Sequence, residues 1–260
     1  MLLHGAASQS NQSRLTAALA ARLEKRAVIV GRRDEHAAPV NGNLLITHLL
    51  GAEVHLAESV EEQQAIIAEF KAKGVKVYDT SSDGFLLRSV SYVDGFLELQ
   101  AQMQERGIRP SGIYMSSGSH THVGLAVASR ALGMEVRTVG ISHSPHDNAE
   151  KDAALARTAN SICDMLDLAL EFSAADLESH GEFAGPAYGV ATREGIEAIS
   201  LVARTEGLLL DPVYSGKAFA GLREHVRQGD WGSEDTLVFV HTGGAPALFA
   251  YGTEFESLCD

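Results

Sequence analysis

The sequence is poor in the residues that mark several common classes of protein. It has 2 cysteines among 260 residues, Cys163 and Cys259, which form neither a disulfide framework nor a CxxC zinc pattern. Its 21 lysines and arginines are outnumbered by 34 aspartates and glutamates, giving a net charge of -13. This acidic balance argues against binding to nucleic acids or to anionic membrane surfaces, both of which need clustered basic residues.

Long hydrophobic runs are also missing. No segment approaches the roughly 20 consecutive apolar residues that a membrane-spanning helix needs, and the first residues lack the basic region of a signal peptide. We therefore expect a cytoplasmic protein. What the sequence does contain is 45% hydrophobic residues, which suits a sizeable core in one large α/β unit or in two lobes.

Short β-branched segments alternate with amphipathic segments along the chain. Residues 27–30 predict a strand, and residues 13–24 predict a helix with Leu15, Leu19 and Leu23 on one face. Strands separated by a helix indicate βαβ units and a parallel sheet.

A border between two lobes is expected near Pro110. We predict a small N-terminal βα lobe over residues 1–107 and a larger lobe over residues 108–260.

A polar loop from Ser116 to Thr121 follows a predicted strand and precedes a helix of small residues. The N-terminus of a helix carries unpaired N–H groups and a positive dipole end, so the loop could hold a phosphate group. The alternative is an ordinary turn whose serine and threonine residues only cap the helix. The loop matches neither a Walker motif nor a dinucleotide-binding pattern, so the residues alone leave both interpretations open.

Histidines near predicted strand ends raise the question of a metal site. The spacing of His143, His146 and Asp147 is a weak metal signature in a chain with 11 histidines, and no metal is expected. His143 and His146 are more typical of residues that line a cleft near a substrate.

Two C-terminal segments carry a resemblance to a known family. They are LLDPVYSGKAFAGL at residues 209–222 and FVHTGGAPALFAY at residues 239–251. With AYGV at 187–190, NGNLL at 41–45 and QSN at 9–11, they resemble the D-cysteine desulfhydrase and 1-aminocyclopropane-1-carboxylate (ACC) deaminase family. The resemblance implies a pyridoxal phosphate-dependent protein with the α/β fold type II architecture, three-layer parallel-sheet lobes similar to those of the tryptophan synthase β subunit.

The resemblance also implies roles for individual residues. The catalytic candidates are Ser10, Tyr188 and Tyr214, although the two tyrosine rings could instead only pack beneath the cofactor. Asn11 would lie near the cofactor ring and the substrate carboxylate, and Thr242 would face the pyridine nitrogen. The phosphate would be held by the loop residues Ser116, Ser117, Gly118, Ser119, His120 and Thr121.

The reaction implied is α,β-elimination or deamination of a small amino acid. A hydroxyl at Thr242 cannot hold a protonated pyridinium as a carboxylate would, which weakens the electron sink and favours loss of a leaving group. Ser215 stands where the deaminase branch carries glutamate, so the chain is more similar to the desulfhydrase branch.

The sequence also departs from the family pattern. The family's Schiff-base lysine lies in a GGNK-type segment upstream of QSN, whereas this sequence starts at the strand before QSN, so we expect an N-terminally shortened protein. Gln12 replaces a usual histidine, residues 80–85 differ from the family loop, and Lys217 corresponds to a helix-entry residue and not to the cofactor lysine.

Three interpretations follow from these departures. A second polypeptide could supply the lysine, the chain could be a non-catalytic binding or scaffold protein, or the sequence could be a truncated product of a full-length gene. Loss of covering segments predicts a homo-oligomer or a heteromer.

Overall fold

The computed structural model describes residues 1–34, 36–37, 39–82, 84–117, 120–145 and 148–258. Contacts divide the chain into two units, Met1–Phe85 with Gly244–Asp260, and Leu86–Gly243. The lobe border expected at residues 107 and 108 stays a prediction.

The first unit contains a four-stranded parallel sheet with the strand order β3-β2-β1-β4. Its elements are β1 (Leu2–Ala7), α1 (Asn11–Arg22), β2 (Ala27–Arg32), α2 (Gly42–Leu49), β3 (Glu53–Ala57), α3 (Val60–Ala72) and β4 (Tyr78–Asp79).

Alternate side chains of β2 face different helices. Ile29 lies in a core cluster with Ala17 and Ala20 of α1, whereas Val30 lies in a second cluster with Phe70 of α3. Because successive side chains of a strand point to opposite faces, α1 and α3 cover opposite sides of the sheet. The unit therefore has three layers.

The leucine face predicted for α1 is not the face that packs on the sheet. Leu15, Leu19 and Leu23 are 49%, 49% and 53% exposed, and the buried side chains of the helix include Ala17 and Ala20. The small residues also recur at helical spacing, and alanines let the helix approach the sheet closely. The leucines are left on the opposite side.

The second unit contains another four-stranded parallel sheet, with the order β7-β6-β5-β8. Its elements are α4 (Phe85–Glu105), β5 (Gly112–Ser117), α5 (His120–Ala131), β6 (Arg137–Ser142), α6 (Asn148–Met165), a 3-10 helix (Ala174–Asp176), β7 (Glu178–His180), α7 (Arg193–Glu206), α8 (Ser215–Gln228) and β8 (Leu237–Val240). The chain returns to the first unit as α9 (Ala245–Leu248) and a 3-10 helix (Gly252–Leu258). Within the described ranges, no helix is long and apolar enough to cross a bilayer.

The second sheet is also covered on both faces. Ile113 and Met115 of β5 pack with Phe96 of α4, whereas Tyr114 packs with Ala218 of α8. The predicted fold class of three-layer parallel-sheet lobes is therefore confirmed. Since the strands are parallel, the segments that follow β5, β6 and β8 leave the sheet at the same edge, where ligands bind in folds of this kind.

Candidate active site

A buried carboxylate shapes the start of α8. Asp211 is fully buried and accepts hydrogen bonds from the backbone N–H groups of Val213, Tyr214 and Ser215 at 3.0, 2.9 and 2.8 Å. The Ser215 hydroxyl donates to the same carboxylate at 2.6 Å. These contacts pair N–H groups that the first turn of a helix leaves without partners. The backbone of Tyr214 is thereby fixed in place.

The structure brings the two sequence-predicted tyrosines together. The hydroxyl oxygens of Tyr188 and Tyr214 are 2.6 Å apart, so one hydroxyl donates to the other. The ring of His143 lies against both, with centroid distances of 5.6 Å to Tyr188 and 4.8 Å to Tyr214. Side chains from three separate segments thus form one group able to hold and move a proton.

The amine of Lys217 lies beside this group. The side chain is fully buried, and its Nζ donates to the carbonyl oxygen of Ala184 at 2.6 Å and to that of His143 at 3.5 Å. Burial lowers the pKa of Lys217 to about 8, against an opposing effect of the Asp211 charge. The amine therefore ties the His143 segment to α8.

Ser116 lies at the carboxyl end of β5 and is 6% exposed. Its hydroxyl has no hydrogen-bond partner among the described residues. A buried hydroxyl without a partner costs free energy unless a ligand satisfies it. The backbone of Ser117 belongs to the same strand, but its side chain, like Gly118 and Ser119, lies outside the described residues.

The first turn of α5 contains His120 and the half-buried Thr121. The Nδ1 atom of His120 is 2.8 Å from the Ser89 hydroxyl. Burial and the nearby charge of Arg88 lower the pKa of His120 to about 4, so its ring is neutral at pH 7. Positive potential at this turn therefore comes from Arg88 and from the helix dipole, while His120 contributes only hydrogen bonds.

Ser10 and Asn11 belong to the first unit. Ser10 is the N-cap of α1 and accepts a hydrogen bond from the backbone N–H of Ser13 at 3.2 Å. Asn11 accepts one from the amide of Asn43 at 2.8 Å. The same Asn43 amide donates to the Gln9 carbonyl at 2.9 Å, so the QSN and NGN segments are joined by side-chain contacts.

Thr242 is exposed and follows β8 at a distance of two residues. The neighbouring His241 places its Nε2 atom 3.1 Å from the carbonyl oxygen of Leu209, which precedes the Asp211 turn. The two motif-bearing C-terminal segments are therefore neighbours in space.

Comparison with known proteins identifies the family. The model of a family described as pyridoxal-phosphate dependent enzyme matches residues 5–243. The chain belongs to this family.

Solved structures of related enzymes share its fold. An ACC deaminase homologue is 27% identical with a TM-score of 0.85, over 99% of this chain and 78% of that chain. A threonine deaminase from T.th. is 20% identical with a TM-score of 0.62, over 94% and 77% of the two chains. A mutant O-ureido-L-serine synthase with bound O-ureido-L-serine is 17% identical with a TM-score of 0.62, over 98% and 74%.

The predicted membership of the pyridoxal phosphate family with fold type II is confirmed, and pyridoxal phosphate is the cofactor. The junction between β5 and α5 fits the phosphate of this cofactor. It combines the unsatisfied Ser116 hydroxyl, the positive end of a 12-residue helix and the charge of Arg88.

Sequence reasoning missed two residues that shape this region. Asp211 lies inside the segment of residues 209–222, and an aspartate just before a helix is a known capping signal, so its role could have been predicted from the sequence. Asn43 lies in the segment of residues 41–45. Its contacts with Gln9 and Asn11 join residues more than 30 positions apart, which no local pattern reveals.

Proposed function

We propose that the chain takes part in pyridoxal phosphate-dependent α,β-elimination or deamination of a small amino acid, releasing ammonia and a 2-oxo acid. The observation that carries this proposal is the joined pair of hydroxyls of Tyr188 and Tyr214 beside His143. It is supported by family membership and by the likeness to an ACC deaminase homologue at 27% identity.

Each site residue has a defined task in this proposal. Ser116, His120 and Thr121 hold the phosphate, with Ser117, Gly118 and Ser119 of the same loop, and Thr242 contacts the pyridine nitrogen. Ser10 and Asn11 orient the substrate carboxylate. When bound, pyridoxal phosphate withdraws electrons from the α-carbon of the substrate.

The tyrosine pair holds and moves a proton at a phenolic oxygen. The shared hydrogen bond at 2.6 Å fixes the orientation of both hydroxyls, and His143 packs against both rings. A side chain that transfers a proton must first lie within hydrogen-bonding distance of the reacting atom, and only then does its pKa affect the rate.

Two hydroxyl residues favour elimination of a leaving group. The Thr242 hydroxyl is too weak a partner to keep a pyridine nitrogen protonated. Ser215, where the deaminase branch has glutamate, donates its hydroxyl to Asp211. It therefore stabilises the α8 turn and offers no carboxylate at the position where the deaminase branch has one.

The lysine that binds the cofactor in this family is supplied, in our proposal, by a second polypeptide. The six lysines of the chain have other environments. Lys217 is buried against two carbonyl groups, Lys71 pairs with Asp79 at 2.6 Å, Lys73 pairs with Glu69 at 2.9 Å, Lys151 donates to Ser142 at 2.7 Å, and Lys25 and Lys76 are exposed.

The row of exposed leucines on α1 supports a partner chain. Leu15, Leu19 and Leu23 recur at helical spacing on one side of the helix and are each about half exposed. Contiguous apolar surface on a helix face marks sites where another protein can bind. The partner that fits the proposal is the lysine-bearing polypeptide.

Binding of the cofactor tests the phosphate site directly. We expect Ser116→Ala to weaken pyridoxal phosphate binding in calorimetry by roughly 10- to 100-fold, since one hydrogen bond to a charged group contributes about 1.5–3 kcal/mol. Binding of pyridoxal, which lacks the phosphate, should change little. The matched control is Ser200→Ala, because the Ser200 hydroxyl is also buried without a partner among the described residues. Equal affinities in the two variants would contradict the assignment.

Turnover tests the reaction and the partner together. Co-expression with a polypeptide carrying a GGNK-type segment should give 2-oxo acid release from D-cysteine, and Tyr214→Phe should reduce it. The second candidate function is a non-catalytic binding protein, which the engagement of Lys217 with two carbonyl groups favours. Reversible cofactor binding without turnover in the co-expressed complex would select that function.

A further inference from the structure

Three side chains of the second unit converge without a role in the proposed reaction. His180 ends β7, Glu182 lies two residues later, and His225 is on the last turns of α8. Each offers one ligand atom, and the three atoms lie within 4.8 Å of one another. The set contains two imidazole nitrogens and one carboxylate oxygen, which is a ligand set that zinc uses.

Glu178 orients the ring of His180. The Nε2 atom of His180 is 3.2 Å from the Glu178 carboxylate, which itself accepts two hydrogen bonds from Arg137 at 3.0 and 2.7 Å. The other ring nitrogen, Nδ1, lies 3.0 Å from the Glu182 carboxylate, so in the absence of metal it carries a proton that it donates to Glu182. A bound ion would take the place of this proton, with the Nδ1 lone pair and a Glu182 oxygen as its ligands. Histidines that bind metals are oriented by carboxylates in the same way.

A second set of contacts orients the ring of His225. Its Nδ1 atom is 2.8 Å from the Tyr114 hydroxyl, which also accepts a hydrogen bond from the Trp231 indole at 2.8 Å. The remaining nitrogen, Nε2, is the one left for a ligand. Because the ring is buried, its neutral form is favoured, and neutral imidazole is the form that binds metals.

We propose that His180, Glu182 and His225 bind one Zn²⁺ ion. The centroids of the two histidine rings are 4.5 Å apart. Bonds of about 2.0–2.1 Å place tetrahedral ligand atoms roughly 3.3 Å apart, so side-chain rotation brings the present spacing to that of a bound ion. Three protein ligands leave a fourth position for water or a small anion.

A cavity of about 600 Å³ adjoins the cluster, and Glu182 and His225 line it. Its wall also contains Glu194, Glu197 and Glu224 together with Arg223 and Arg227, and these arginines pair with Glu197 and Glu224. The cavity gives the ion a path to the site and leaves its fourth position accessible.

Metal binding to the full chain tests the proposal. After removal of metals with EDTA, we expect titration with ZnCl₂ in a calorimeter to show one equivalent bound, and Co²⁺ to give visible absorption of a tetrahedral site. Glu182→Gln should weaken binding at least about 10-fold. Because Glu182 is exposed, this variant keeps the fold, and Glu194→Gln is the matched control from the same cavity.

The same experiment can overturn the proposal. If neither metal binds at one equivalent, the cluster is an ion pair of a protonated His180 with Glu178 and Glu182. If Glu182→Gln and Glu194→Gln bind zinc equally, the ion is held elsewhere on the acidic surface. His225→Gln provides a second check, and unchanged zinc affinity in that variant would also refute the assignment.

Discussion

The buried amine of Lys217 has a measurable effect on stability. Burial lowers its pKa from 10.5 to about 8. One pKa unit corresponds to about 1.4 kcal/mol. Keeping this amine protonated in the folded protein at pH 7 therefore costs about 3 kcal/mol.

The sign of the pH dependence follows from proton binding. In the unfolded chain the amine is solvated and keeps its ordinary pKa, so between pH 8 and 10.5 the unfolded state binds more protons than the folded state. Stability therefore rises with pH across this window. Below pH 8 the amine of Lys217 is protonated in both states and its cost is constant, whereas above pH 10.5 it is neutral in both and the cost is lost.

Urea unfolding of the wild type and of Lys217→Met at pH 7 and pH 10.5 measures this effect. Methionine fills similar space without a charge, and all other titrating groups cancel in the comparison. We expect the wild type to gain about 3 kcal/mol relative to the variant. Lys76→Met is the control, because Lys76 is exposed and its replacement should leave the pH dependence unchanged. Equal gains in the wild type and Lys217→Met would refute the burial argument.

Five further substitutions, used in three experiments, test other contacts. Asp211→Ala leaves three N–H groups at the start of α8 without their acceptor and should lower the free energy of unfolding by at least about 3 kcal/mol in urea titrations; a loss below about 1 kcal/mol would contradict the capping role. Gly42→Ala should destabilise by more than about 2 kcal/mol, because φ is +54° and an added Cβ would lie 2.5 Å from Gln9. Gly51→Ala, with φ +77° and open space around it, isolates the backbone contribution at roughly 1–2 kcal/mol, and an equal loss at both glycines would contradict the steric argument. In a double-mutant cycle of Tyr188→Phe and Tyr214→Phe, the free energies of unfolding should give a coupling energy of about 0.5–1.5 kcal/mol. If the two losses of stability are strictly additive, the hydroxyls are not hydrogen-bonded in solution.

The fold followed from the sequence because both sheets are parallel and covered on both faces. Strands of this kind are short apolar runs separated by helices, which is the pattern seen for β2 and α3. The pattern gave wrong or no predictions where tertiary packing determines which side chains are buried. In α1 the alanines and not the leucines face the sheet, and β7 has the polar sequence Glu-Ser-His, which no apolar period predicts.

Residues of the site could be predicted from the sequence only where they lie in a family motif. Tyr188 and Tyr214 were named from the resemblance, and the structure places their hydroxyls in contact. The convergence of His180 and His225 could not be predicted, because these residues are 45 positions apart and meet only after α8 packs on the sheet. The partners of the Lys217 amine, the carbonyl groups of Ala184 and His143, could not be predicted for the same reason, because both residues are distant from Lys217 along the chain.

The start of α8 sets the geometry of the tyrosine pair from two sides. Asp211 fixes the backbone of Tyr214 through three N–H groups, and Lys217, two residues into the helix, holds the carbonyl groups of Ala184 and His143. Since the ring of His143 contacts both tyrosines, one short stretch of chain positions the whole hydroxyl group.

It follows that Lys217→Met should disturb the tyrosine pair, because the amine holds the carbonyl groups of Ala184 and His143. The coupling measured between Tyr188→Phe and Tyr214→Phe should fall when the cycle is repeated in the Lys217→Met background. An unchanged coupling would show that the tyrosine pair is held by α8 alone and that the amine supports only the neighbouring segments.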